Sequence, residues 1–294
     1  MTEVSAELIK KIRHIQIATT RLVDAMLSGA YRSAFKGSGI EFEEVREFQT
    51  GDEMRSIDWK VTARYGKPYI KKFREERELT VFLIVDVSAS LRFGTSNRQK
   101  KEMIAEIGAA LAFSAIKNWD KVGLILFSDR VEHYLPPRKG VRHVLRVIRE
   151  LLAFKPQGNG TDIETALNFL SKIHRRSAVC FLISDFLSEK PFSNAIKVQS
   201  KSHDLIAIEV KDPRESQWIP MGLLTLKDLE TEQIISFNSE NKEFQQKYDE
   251  AAVARKNNLK ELMGKLGLGL LSLSTDKPYA HAIKQYFEKR KRWR

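Results

Sequence analysis

Thr80-Val81-Phe82-Leu83-Ile84-Val85-Asp86-Val87-Ser88-Ala89-Ser90 is the stretch that decides the fold. An uninterrupted apolar run stops at a carboxylate, and two hydroxyls follow at alternate positions. A run with no polar alternation reads as a strand buried on both faces, the signature of a parallel sheet. Asp86, Ser88 and Ser90 then fall at the strand's carboxyl end, where open α/β sheets place their ligands. One carboxylate and two hydroxyls offer hard oxygen donors with little negative charge. That set suits Mg²⁺ with a coordination position left for an outside group. Short Asp/Ser turns also cap helices and close loops without any metal, so the weight falls on the rest of the chain.

Working outward, the pattern from residue 80 onward alternates strands with helices. Strands are expected at 80–86, 122–127, 131–135, 178–184, 204–210 and 268–274, and helices at about 98–117, 141–153, 163–174, 191–200 and 277–291. This alternation argues for a mostly parallel sheet covered on both faces, with 131–135 as a short antiparallel edge strand. Two further strand ends carry polar residues. Gly158-Asn159-Gly160-Thr161-Asp162 is a glycine-bracketed turn opening a helix, and Phe181-Leu182-Ile183-Ser184-Asp185 is a second apolar run ending in a carboxylate. If the two apolar strands are neighbours, Asp86, Ser88, Ser90, Thr161 and Asp185 converge on one sheet edge.

Before residue 80 the chain reads differently. Residues 6–28 have apolar positions at helical spacing, with Gly29 expected to end the helix. Residues 40–79 look like irregular strands and turns, and residues 213–238 like a hairpin inserted ahead of a charged helix at about 240–265. The division expected is therefore 1–79, an N-terminal helix and β-rich appendage, and 80–294, an α/β domain with the hairpin inserted. The two strand-like segments are each too small to bury their own apolar residues, and the expectation is that they pack together.

The chain has 294 residues, 42% hydrophobic and 30% charged, with a formal net charge of +12. No apolar segment approaches the roughly 18–20 residues needed to cross a bilayer, and the first ten residues lack a basic-then-apolar leader. The single Cys180 lies inside an apolar run and reads as a core thiol. Together these point to the cytoplasm. The six histidines are scattered without zinc spacing, and no phosphate-binding Gly-x-x-x-x-Gly-Lys-Ser/Thr is present. A phosphatase that starts with an apolar strand and Asp needs a second Asp two residues on, where Ser88 stands. These absences argue for a protein that is not an enzyme. The basic excess, gathered at Lys289-Arg290-Lys291-Arg292-Trp293-Arg294, leaves nucleic-acid binding as the alternative from another class.

In their order and at strand ends, Asp86-x-Ser88-x-Ser90, Gly160-Thr161-Asp162 and Ser184-Asp185 resemble the metal-ion-dependent adhesion site of von Willebrand factor A domains. The preceding segment is more specific: Phe42-Glu43-Glu44-Val45-Arg46-Glu47-Phe48-Gln49-Thr50-Gly51-Asp52, Arg55-Ser56-Ile57-Asp58-Trp59-Lys60 and Gly66-Lys67-Pro68-Tyr69 resemble the hallmark of the domain-of-unknown-function-58 family. The resemblance implies a von Willebrand factor A-like α/β fold and a non-enzymatic protein-interaction module. It also implies a MoxR-type AAA+ ATPase as partner, beside an unidentified client protein. By the same resemblance Ser88, Ser90 and Thr161 are direct or near-direct ligands of Mg²⁺ or Mn²⁺, with Asp86 and Asp185 holding the ion partly through water. Val87 departs from the pattern, since many adhesion domains have Gly there.

Overall fold

The computed structural model describes residues 6–35, 41–74, 78–95, 99–188, 190–216, 218, 220–227 and 234–293. Its centre is a sheet of six strands in the order β10-β7-β6-β3-β4-β5: β3 (Thr80–Asp86), β4 (Lys121–Phe127), β5 (Val131–Arg138), β6 (Val179–Ser184), β7 (Asp204–Lys211) and β10 (Gly269–Ser274). Every neighbouring pair is parallel except β4 with β5, which is antiparallel and closes one edge. The edge strand runs three residues past the expected 135.

The apolar runs do what both-face burial requires. Val81, Leu83 and Val85 point into one core, with α4 (Lys100–Lys117), α5 (Val141–Ala153) and α9 (Tyr279–Trp293). Phe82 and Ile84 point into the other, with α6 (Ile163–Ile173) and α7 (Ser193–Ser202). Each such fully buried side chain contributes about 1.5–3 kcal/mol relative to exposure. Cys180 belongs to the second core, and burial pushes its thiol pKa upward.

Strand order reverses at β3. The chain runs outward to β4 and β5, then crosses back to β6 on the other side of β3. The carboxyl ends of β3 and β6 therefore flank the topological switch point, where such sheets open a crevice.

The N-terminal helix is longer than its spacing suggests. α1 (Ala6–Leu22) passes through a π-turn (Val23–Leu27) into α2 (Ser28–Ala34), so Gly29 lies within the helical segment and does not end it. The reason is packing: Leu27, Tyr31, Ala34 and Phe35 are buried in the first core, and Phe35 meets Phe181 and Phe287 edge-on. The π-turn rotates the apolar stripe so that α2 faces α9 while α1 faces α4 and α5.

Outside the main sheet, β1 (Glu41–Glu47) and β2 (Tyr69–Arg74) form an antiparallel ribbon around α3 (Trp59–Tyr65), which Asp58 caps. β8 (Leu223–Lys227) and β9 (Ile234–Asn238) form a second one, followed by α8 (Lys242–Lys265). Parts of the two segments expected to pack together (residues 40, 75–77, 217, 219 and 228–233) lie outside the described residues. What is described forms two separate two-stranded sheets. The second finds its apolar cover on α8, a partner that the joint-subdomain expectation left out: Trp218 packs on Phe237, Phe244 and Tyr248. Among the described residues no helix is long and apolar enough to cross a membrane.

Candidate metal edge

Pairing of β3 with β6 in the register Val85↔Ile183 sets Asp86 level with Ser184. The consequence is a direct contact: the Ser184 hydroxyl donates to Asp86 Oδ2 at 2.6 Å. The Ser88 N–H donates to Asp86 Oδ1 at 2.8 Å, so the backbone turns sharply just past the strand. Ser88 and Ser90 then stand on the same side of the 3₁₀ turn Ala89–Arg92, their hydroxyl oxygens 3.0 Å apart.

Three loops are stapled into one edge. The Ala89 N–H donates to the Asn159 carbonyl at 2.9 Å, tying the Asp86–Ser90 loop to the glycine-bracketed turn. The Ser188 hydroxyl donates to the Thr161 carbonyl at 3.0 Å, tying that turn to the loop after β6. Beneath the turn, Glu132 accepts from the Gly158 N–H at 2.7 Å and from the Ser128 hydroxyl at 2.7 Å. Gly158 has to be glycine, because a Cβ would collide with the side chains of Ser128 and Asp129. Ser128 and Asp129 thus serve as scaffold for the turn. Asp162 caps α6 through the Thr165 N–H, which leaves the Thr161 hydroxyl as an unengaged group of the turn.

Thr161 shows it directly: its hydroxyl oxygen is buried and has no hydrogen-bond partner. A buried hydroxyl without a partner costs about 1–3 kcal/mol and calls for an explanation.

The carboxylates are also buried. Asp86 is 1% exposed and Asp185 5%. Desolvation first, then the charge of Asp185, pushes the Asp86 pKa up to about 7 against the opposing donors Ser184 and Ser88. Asp185 sits on a tight turn: its Oδ1 accepts from the Leu187 N–H at 3.1 Å, and Phe186 adopts φ 56°, unusual for a non-glycine residue. Asp86 and Asp185 therefore lie buried beneath the loops that close the strand ends. The sequence places these residues at a sheet edge, and the loops folding over the strand ends bury Asp86, Ser88, Thr161 and Asp185 there.

The structure brings Asp86, Ser88 and Ser90 together, places Thr161 on the loop stapled to theirs, and sets Asp185 close enough to raise the Asp86 pKa. It gives a defined role to Ser184, which the sequence names beside Asp185, and adds Lys100 and Glu215, which the sequence reading missed. Ser184 is the Asp86 donor. Lys100, the first residue of α4, is 0% exposed and donates to Asp185 Oδ2 at 2.8 Å. Its ammonium also pairs with Glu215. Burial lowers the Lys100 pKa, but the two carboxylates outweigh it and keep the ammonium charged. Two patterns could have revealed these residues. Lys100 shares the helical stripe of Met103, Ile107 and Leu111, the buried face of α4. Asp212 and Glu215 form a capping box.

Hard oxygens dominate the edge, which fits a small divalent ion better than a soft metal. Among the described residues no group of three or more His, Cys, Asp or Glu is placed to hold a metal. Any ion here would rest on the hydroxyls of Ser88, Ser90 and Thr161 as much as on carboxylates.

Comparison with other proteins adds a relative and two solved structures. The uncharacterized protein Rv1480 of Mycobacterium tuberculosis is 29% identical over 288 residues, covering 97% of this chain and 90% of its own. The crystal structure of the conserved hypothetical protein BatB from Bacteroides thetaiotaomicron is 18% identical, with TM-score 0.47, covering 73% of this chain and 99% of that one. Proximal thread matrix protein 1 from the mussel byssus, solved with a zinc-occupied MIDAS motif, is 15% identical, with TM-score 0.36, covering 45% of this chain and 38% of that one. Residues 44–258, well over half of the chain, match the family described as "Protein of unknown function DUF58", and the chain belongs to that family.

Proposed function

We propose that the protein is a von Willebrand factor A-like interaction module that takes a partner's carboxylate on a divalent metal at the β3–β6 edge. One observation carries the reading: the Thr161 hydroxyl is buried without a partner on a loop stapled to the one bearing Asp86, Ser88 and Ser90. A bound Mg²⁺ or Mn²⁺ would account for that oxygen. Ser88, Ser90 and Thr161 would supply neutral donors, and Asp86 and Asp185 the negative charge. The ion's contribution is an open coordination position for an anionic oxygen from outside.

The chain's own residues set the conditions. Ser184 and the Ser88 N–H fix the Asp86 carboxylate in one orientation, and the three stapled loops keep the donors in place before any ion arrives. The Ser184 hydroxyl that donates to Asp86 is fully buried and serves to orient the carboxylate, so the reading is recognition without catalysis. A MoxR-type AAA+ ATPase, as the family resemblance suggests, would supply the work, in the cytoplasm, and this protein would select the client.

The test is capture of partners on the immobilised full chain in Mg²⁺, in chelator, and with Asp86→Asn. Metal-dependent capture of an AAA+ ATPase, lost with chelator and with the variant, is the expected result. Capture that ignores both treatments overturns the reading. Recovery of nucleic acid with steep salt dependence would favour the basic surface in its place.

A further inference from the structure

Lys100 is out of place by ordinary rules. An ammonium is costly to bury unless it is paired, and the amino end of a helix is the wrong pole for a cation. Lys100 is nonetheless 0% exposed at the first position of α4. What holds it are two carboxylates from different parts of the fold, Asp185 at the metal edge and Glu215 beyond β7.

Glu215 is not a free end. It closes the 3₁₀ turn Pro213–Glu215 that opens the inserted segment, and its Oε2 accepts from the Asp212 N–H at 2.9 Å. Asp212, itself buried, accepts from Thr95 and from Thr275, so the turn is fixed to the sheet. From there the Tyr248 hydroxyl donates to the Arg214 carbonyl at 3.0 Å, and the Trp218 cluster joins the β8–β9 ribbon to the start of α8. A chain of contacts therefore runs from Asp185 through Lys100 and Glu215, along the main chain of the Pro213–Glu215 turn, to Tyr248 and the ribbon.

We propose that Lys100 is a resident cation that shares Asp185 with any metal at the β3–β6 edge, so that metal binding there is transmitted to the inserted segment 213–248. The proposal rests on the metal reading above. Its logic is charge. One ammonium divided between two carboxylates leaves that triad short of one positive charge. A divalent ion drawn to Asp185 repels the ammonium and weakens its hold there, and Lys100 then leans on Glu215. The lysine stem is flexible enough for that shift. The same ammonium reduces the negative charge that the ion meets, so Lys100 also keeps metal affinity low until a partner carboxylate completes the site.

The experiment uses Mn²⁺ as the probe on the full chain, with binding read by electron paramagnetic resonance and the inserted segment by amide hydrogen exchange. In the wild type, saturating Mn²⁺ should change exchange of peptides within 213–248 severalfold. Lys100→Met should bind Mn²⁺ about tenfold more tightly, the effect of losing a nearby like charge, while exchange in 213–248 no longer responds to the ion. Glu215→Gln keeps the Lys100–Asp185 contact, so it should bind Mn²⁺ more weakly than the wild type and also lose the response. It serves as the independent check if Lys100→Met folds poorly. Mn²⁺ binding that depends on Asp86 but leaves 213–248 unchanged in the wild type overturns the coupling and spares the metal reading. Absence of any Asp86-dependent Mn²⁺ binding overturns both.

Discussion

The two ends of the central sheet each hold a buried carboxylate, and the pair differ in what surrounds them. Asp120 lies at the amino edge, just before β4, and Asp86 at the carboxyl edge of β3; both are 1% exposed. Desolvation is the first cause of a raised pKa at both, to about 6 for Asp120 and about 7 for Asp86. Asp120 is fully engaged by groups that belong to the fold, the Leu79 N–H at 2.8 Å and the Tyr31 hydroxyl at 2.9 Å. Through Tyr31 it pins the N-terminal helical segment to the sheet. Asp86 has donors too, but it faces a second carboxylate, Asp185, and its loop is stapled to the one bearing the unpaired Thr161 hydroxyl. Burial and a shifted pKa therefore do not by themselves mark a site. The distinguishing feature is charge and donor capacity left over after the fold has been satisfied.

The comparison breaks most sharply under matched substitutions. Asp86→Asn keeps the shape and one acceptor for Ser184 or Ser88, and it removes the charge a metal needs. Mn²⁺ affinity should fall by more than about 100-fold, beyond the 10–100-fold typical of losing a supporting group, with unfolding free energy changed by less than about 1 kcal/mol. Calorimetric titration and urea unfolding on the same samples read both quantities. A variant that binds Mn²⁺ as the wild type does would place Asp86 with Asp120, as a structural carboxylate.

Asp120→Ala should show the reverse profile. Two buried donors lose their acceptor, each costing about 1–3 kcal/mol, so a loss of about 2–4 kcal/mol in urea unfolding is expected with Mn²⁺ affinity unchanged. Loosening of α2 should appear as faster amide exchange around Tyr31. If the variant is as stable as the wild type, the Tyr31 contact does not anchor the helix.

How far this contrast could be read from sequence depends on which physical signal each residue leaves. The strands were legible because β3, β4 and β6 are continuous apolar runs that nothing but a sheet covered on both sides will bury. The meeting of the Asp86 and Asp185 loops followed once β3 and β6 were neighbours. What sequence could not show is depth. The loops that close over Asp86 are made of Ser, Asn and Gly, residues that signal turns and carry no burial code. Lys100, in the basic pair Lys100-Lys101 that opens α4, looks like a solvated charge unless its place on the Met103–Ile107 stripe is noticed. Asp120, between Trp119 and a strand, reads as an ordinary turn residue. Tyr31 falls beyond the helix end that Gly29 signals, because the local propensity penalty of that glycine is overridden by tertiary packing.

Titration sharpens the comparison further. A carboxylate whose folded pKa is raised binds a proton in the native state that the unfolded chain has released, so stability falls as pH rises through the window between the two values. Without metal, the protein should lose stability from about pH 4 to 6 through Asp120 and on to about 7 through Asp86. Asp120→Asn should reduce the slope between about pH 4 and 6 only, whereas Asp86→Asn should reduce it across the whole span and abolish it from about 6 to 7. Saturating Mg²⁺ should act as Asp86→Asn does, removing the fall between about pH 6 and 7 and leaving only the Asp120 slope below it, because a bound cation holds Asp86 ionised in the folded state. Thermal unfolding across pH, with and without Mg²⁺, reads all four curves. A Mg²⁺ effect confined to the lower window would assign the ion to the wrong end of the sheet.

The smallest expected effect is the most discriminating about the metal itself. Thr161→Val replaces a buried hydroxyl that has no partner with a methyl of similar size. In most interiors that exchange removes a hydrogen bond and destabilises, but here no hydrogen bond exists to lose. The metal-free protein should therefore be unchanged or more stable by up to about 1 kcal/mol, at the low end of the cost of an unsatisfied hydroxyl. Mn²⁺ affinity should weaken by only several-fold, because water can replace a neutral donor more readily than it replaces a carboxylate. Stability gained while affinity is lost would show that the orphan oxygen is kept for a ligand at the expense of the fold. If affinity is untouched and stability drops, Thr161 has a packing partner that its geometry does not reveal, and the edge loses the observation on which its reading rests.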